Sequence, residues 1–191
     1  MARRPLIIRS WLDLAKLAEE SAADDWIFRG EAHAPEALRP SAGRVPNDPS
    51  FPRRLRFDVD DERSALERFK SDALPYLDRT PPPEHHLEWL AIAQHHGMRT
   101  RLLDWSESLL IAAFFAVEAG GARGGATIYG VKGLPSVESG VDPFALDEVS
   151  VYRPSRLTAR MAPQLSTFTV HPDPSLDFRA DPRLRHWRVA R

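Results

Sequence analysis

Nine consecutive apolar residues, Leu109 to Val117, constrain this chain more than any other stretch. They follow Ser106-Glu107-Ser108, where a hydroxyl can cap a helix start by accepting from a backbone N–H of the first turn. A helix that is apolar all round has no face to give to water, so Ser106 to Glu118 is expected at the centre of the core. The chain has 191 residues, 42% of them hydrophobic, enough to build such a core without staples. It has no cysteine, which excludes disulfides, thiolate metal sites and a cysteine nucleophile. No apolar run approaches the ~20 residues of a membrane span, and the first residues lack a signal-peptide core, so a cytoplasmic protein without a membrane partner is expected.

Around that helix the chain reads as helices first and strands after. Ser10 with Asp13 three residues on marks the start of a first helix. Trp26-Ile-Phe-Arg29 reads as a short strand ending at Gly30, and the five prolines between 35 and 52 mark a long loop. A second helix is expected from Asp60 to Leu77, with Leu66, Phe69, Ala73 and either Tyr76 or Leu77 on its apolar stripe. A third runs from Glu84 to His96 and closes at Gly97. Strands are expected at 99–105, 126–131, 149–152 and 164–170. The fold class is therefore α+β: N-terminal helices on a small, mainly antiparallel sheet around one buried helix. One domain is expected over 1–172. Beyond it, 173–191 reads as a basic tail, since 153–191 holds eight Arg against three Asp.

The net charge is −1, so no global field draws the chain to nucleic acid, and nucleic acid is not the favoured partner. Arg outnumbers Lys by 23 to 3. Codon usage in a GC-rich genome accounts for that better than anion handling does, so each arginine must be argued from its position. Arg29 shares a strand face with Ile27, which turns its charge inward or across a cleft mouth. A buried guanidinium needs an anion, and Glu31, Asp104, Glu107 or an external phosphate could serve. Gly30 beside it permits close approach of a strand or ligand. Gln94 and His95 continue the apolar face of the third helix at its end, where they either satisfy the following turn or face a cleft. Arg101 and Asp104 lie on opposite faces of the next strand, and Ser106 and Glu107 converge at its end. The pairs His85-His86 and His95-His96 diverge by about 100° on a helix and do not chelate, so no metal is expected.

Trp26-Ile-Phe-Arg-Gly30, Gln94-His-His-Gly-Met-Arg-Thr-Arg-Leu-Leu-Asp-Trp105, and Arg160-Met-Ala-Pro-Gln164 with Phe168 and His171 together resemble the FRG-domain family. That family is named for the motif present here as Phe28-Arg29-Gly30. The resemblance spans about residues 10–172 and departs only at Met161 and Pro163, where Ile and Ala are more usual. It implies a bacterial or phage-encoded protein and leaves the activity open. A second, fold-level resemblance is to ADP-ribosyltransferases of the Arg-Ser-Glu class. In those, an Arg-Gly lies on the first core strand, a Ser-x-Ser ends the second, and a late strand carries a catalytic Glu. Phe28-Arg29-Gly30, Ser106-Glu107-Ser108 and Gln164 stand in the corresponding places, with Gln where the class has Glu.

That second resemblance implies NAD as cofactor and Arg29, Ser106, Glu107 and Gln164 as catalytic residues. Gly30, Gln94, His95, Arg101 and Asp104 would then bind the ligand. The guanidinium would grip the pyrophosphate, the hydroxyl would position the nicotinamide ribose, and Glu107 or Asp104 would take the acidic role. Such an enzyme would be a toxin or defence effector with a macromolecular target and a neutralising protein partner. The competing reading is a module that binds a nucleotide or nucleic acid without turnover, the latter through the basic 153–191 stretch with Phe168 and Trp187. Arg29, Gln94, His95, Asp104 and Ser106 are expected to line one pocket.

Overall fold

A computed structural model of the chain describes residues 6–32, 37–44, 58–77, 79–118, 125–154 and 166–190. Four helices are laid on one eight-stranded sheet. The strands are β1 (Leu6–Ile8), β2 (Ile27–Glu31), β3 (Leu102–Ser106), β4 (Ala126–Val131), β5 (Ser136–Val137), β6 (Ser150–Tyr152), β7 (Ser166–Val170) and β8 (Arg185–Val189). The helices are α1 (Trp11–Ser21), α2 (Val59–Ala73), α3 (His86–His95) and α4 (Leu109–Glu118). Across the sheet the order is β1-β8-β4-β2-β3-β7-β6-β5. The β1–β8 and β5–β6 pairs are parallel and the rest antiparallel, so the α+β class holds with a mixed and larger sheet than expected.

Local chemistry explains the element ends. Ser10 accepts from the Asp13 amide while the Asp13 carboxylate accepts from the Ser10 amide, a reciprocal cap that starts α1. Asp58 caps α2 through its carboxylate, which accepts from the amides of Asp60 and Asp61. Gly97 ends α3 with φ +88°, a conformation that a side chain would strain. Along α2, Leu66 is buried with Phe69 and Ala73 half-buried beside it. The helix ends at Ala73, before the expected Leu77, and a following 3-10 turn still sets Leu77 against this cluster while Tyr76 turns to solvent.

Strand alternation sorts the core. Phe28, Ile128 and Trp187 share one face with α1 and α4, and Leu102, Phe168 and Val170 continue it under α2 and α3. Ile27, Leu103, Trp105, Tyr129 and Val131 form the opposite face, closed by Leu38 and Phe178.

Two expectations change here. First, α4 is not wrapped on all sides. It lies on β2 through Leu109, Ala112 and Ala116, and Leu110, Phe114, Phe115 and Val117 are exposed. Second, the segment expected as a basic tail beyond residue 172 supplies β8, hydrogen-bonded between β1 and β4. Its Trp187 is buried against Phe28 with ring centres 6.4 Å apart, and burial of that indole outweighs the basic flanks.

Candidate functional site

The sheet parts at its middle. β2 pairs with β4 along all five residues but with β3 only at Phe28↔Ser106. Beyond that pair Arg29 reaches across the gap, and its Nη1 donates to the backbone carbonyl of Asp104 at 2.8 Å. The Arg29 Nε donates to Glu31 Oε1 at 2.6 Å, and Asp104 Oδ2 stands 3.9 Å from Nη1. Asp104 Oδ1 accepts from Gln94 Nε2 at 2.8 Å, and Gln94 Oε1 accepts from Thr100 Oγ1 at 2.5 Å. One hydrogen-bonded chain thus runs from β2 over β3 to the end of α3. The Arg29 side chain keeps 18% of its surface open, and its Nη2 meets no acceptor among the described residues. Asp104 is 60% exposed. A largely covered guanidinium that still has donors to spare, beside a parted strand pair, can take an oxyanion.

The end of β3 carries the second group. Ser106 Oγ accepts from the Ser108 amide at 3.0 Å, and Ser108 Oγ from the Ile111 amide at 3.4 Å, so both hydroxyls shape the entry to α4. By alternation Ser106 lies on the Phe28 face, away from Arg29. Glu107 turns back to the Arg29 side. Its Oε1 accepts from Thr167 Oγ1 at 3.2 Å and from Arg153 Nε at 2.6 Å. Phe28, Ser106 and Ser166 pair in one row, so β2, β3 and β7 present their motif ends side by side.

Among the five residues expected in one pocket, the structure links Arg29, Asp104 and Gln94. Ser106 belongs to the α4 cap, and His95 is exposed with its ring edge-on to His96. Gln164 lies outside the described residues.

Two ligand-binding assignments are corrected. Gly30 serves packing: a Cβ there would stand 1.8 Å from the Ala112 carbonyl oxygen, so α4 rests directly on the strand. Arg101 has no exposed side-chain surface, and its donors go to Glu62 and to the carbonyls of Pro143, His171 and Pro172. Its guanidinium also stacks 4.3 Å from the centre of the Phe144 ring. Burial pushes the Glu62 carboxyl up, and the charge and hydrogen bonds of Arg101 pull it back down. Glu62 escaped the sequence reading because Asp60, Asp61 and Glu62 together suit the start of a helix. Only the docking of α2 buries the third of them.

A second buried network was also missed. Trp105 Nε1 donates to Thr169 Oγ1 at 2.9 Å, and that hydroxyl lies 2.8 Å from His171 Nε2. The hydroxyl accepts from Trp105 and shares a second hydrogen bond with Nε2, whose direction the ring tautomer sets. Burial lowers the His171 pKa to about 4. Strand spacing from Trp105 and Thr169 could not reveal this link before their pairing was known. Phe168 and Trp187, considered above for nucleic-acid stacking, are both buried.

Among the described residues no group of three or more His, Asp or Glu could hold a metal ion, and no helix is long and apolar enough to cross a membrane. The FRG domain family model matches residues 24–123, just over half of the chain and the stretch that holds β2, α3, β3 and α4. Neither the curated proteins nor the solved structures return a match. The resemblance to ADP-ribosyltransferases gains no support from these comparisons.

Proposed function

This chain belongs to the FRG domain family, and we propose that the gap between β2 and β3 is a nucleotide cleft that binds NAD and cleaves its nicotinamide–ribose bond. The observation that carries this reading is the row Phe28–Ser106–Ser166. It sets the Arg-Gly, the Ser-x-Ser and the start of the late strand on three adjacent strands. Arg29 offers Nη2 to a pyrophosphate oxygen. Glu107, on the same side, offers a carboxylate to the positive charge that grows at the ribose C1′ as nicotinamide leaves with the bonding electrons. Water or an acceptor nucleophile then bonds to C1′ and gives up a proton. Ser106 is a positioning residue: by holding the Ser108 amide it fixes the turn that presents Glu107. Consumption of NAD would make the protein a growth-arresting effector, which accounts for a toxin or defence role.

The second reading is binding without turnover. What favours it is the Arg153 guanidinium 2.6 Å from Glu107, which neutralises the carboxylate that chemistry needs. Calorimetry with NAD and ADP-ribose, run beside an assay of released nicotinamide, separates the two. The proposal expects binding and release by the wild type. Arg29→Lys should lose at least about tenfold in affinity, because a point charge replaces the planar fork. Glu107→Gln should bind without release. Wild-type binding with no release supports the module, and no binding of either ligand overturns both readings.

A further inference from the structure

The outer face of α4 is the most unusual surface of this protein. Leu110, Phe114 and Val117 recur at helical spacing and are 47%, 55% and 54% exposed. Facing them on α1 is Trp11, 71% exposed. A groove of about 470 Å³ runs between the two helices, and Ile8, Ile128 and Val189 of the sheet form its floor. It adjoins β1, the edge strand of the sheet. Contiguous apolar surface of this kind marks an interaction site, because isolated apolar side chains are common on surfaces but continuous patches are not.

We propose that this face is the interface of a homodimer, in which the α1–α4 groove of one copy packs about a two-fold axis against the same groove of a second. Three observations select a second copy as the occupant. The first is area. A whole aromatic side chain can bury roughly 150–250 Å², so the exposed parts of Trp11, Leu110, Phe114 and Val117 come to on the order of 400–500 Å², to which the walls of the groove add. Each partner in a stable complex of standard size contributes about 800 Å². The second is shape. A two-fold interface requires one patch to carry both projection and hollow, and here Trp11 and Phe114 project beside the groove that would receive them. The third is charge. Among the described residues Arg9 alone of those lining the groove is ionisable, and the whole chain carries −1, so two copies meet almost without repulsion. This inference is independent of any ligand in the β2–β3 gap.

Sedimentation of the full chain between about 1 and 100 μM, the range in which an interface of this size associates, tests it. The expected species has twice the 21.5 kDa of one chain. Phe114→Glu and, separately, Val117→Glu should weaken dimerisation by at least about a hundredfold, since each buries a charge at the interface centre. Both side chains are half exposed in one copy, so unchanged circular dichroism of each variant shows that folding is not the cause. A wild type that stays at 21.5 kDa throughout overturns the proposal. So does a dimer that both variants leave intact. A monomer whose tryptophan fluorescence shifts to the blue on phosphatidylglycerol vesicles, a shift that Trp11→Phe abolishes, also overturns it and assigns the face to a lipid surface.

Discussion

Arg29 and Arg101 lie on neighbouring central strands or at their ends, and each is paired with a glutamate, yet the two do opposite things. Arg101 is sealed: Glu62, three backbone carbonyls and the Phe144 ring take up its charge, and it joins β3 to α2 and to the loops at 142–144 and 171–172. Arg29 sits at the parted strand pair, holds Glu31 and one carbonyl, and keeps part of its guanidinium open to solvent. Burying a charge among a carboxylate and several carbonyls makes a structural joint that fails badly when one side is removed. Leaving a guanidinium partly open makes a site whose internal carboxylate a ligand's phosphate can displace. Residue type does not separate the two; the number of acceptors supplied by the surroundings does.

The sharpest break of that contrast is Arg101→Ala, expected to cost about 3–5 kcal/mol in urea unfolding because it strands the buried Glu62 carboxylate. Arg29→Ala should cost no more than about 1 kcal/mol, since its partners keep access to water. Equal losses at the two positions would erase the distinction.

The next effect in size lies in the network beside Arg101. The His171 pKa is about 4 when folded against 6.5 as its ordinary value, so the unfolded chain binds the proton first. Stability from this group is therefore complete above pH 6.5 and is lost as the pH falls towards 4, by about 3 kcal/mol in all. Burial sets the position of that window, with Asp181 favouring the charged ring and Arg101 opposing it. His171→Gln should flatten the pH dependence of the melting temperature between those limits.

A smaller but diagnostic loss is expected at Gly30. Gly30→Ala must push α4 off β2, at a cost of about 1–3 kcal/mol for overpacking, and thermal melts would read it. If that variant is as stable as the wild type and loses only ligand affinity, Gly30 belongs to the Arg29 site after all. Smaller still is the effect of Gln94→Ala, expected at about 1–2 kcal/mol, because water replaces the amide at the exposed Asp104 while the buried Thr100 hydroxyl loses its acceptor. Its measurable consequence should be a change in nucleotide affinity.

What could be read in advance was decided by short-range physics. The Ser10–Asp13 cap, the left-handed Gly97 and the alternation of Leu102, Leu103, Asp104 and Trp105 each depend on atoms within a few residues, so spacing alone predicts them. The placement of Arg29 on the Ile27 face follows from the same two-residue period, whereas the choice of Glu31 over Asp104, Glu107 or an external anion as its carboxylate partner needed the structure. The rest needed contacts between distant segments. β8 enters the sheet only because residues 126–130 pair with 185–189, and no local pattern in a Pro- and Arg-rich stretch announces that partner. The nine-residue apolar run determined that α4 is a helix, but Gly30, Ala112 and Ala116 decided which face of it would be covered. A helix has one contact face for one sheet, so the apolar residues on its other side stay exposed.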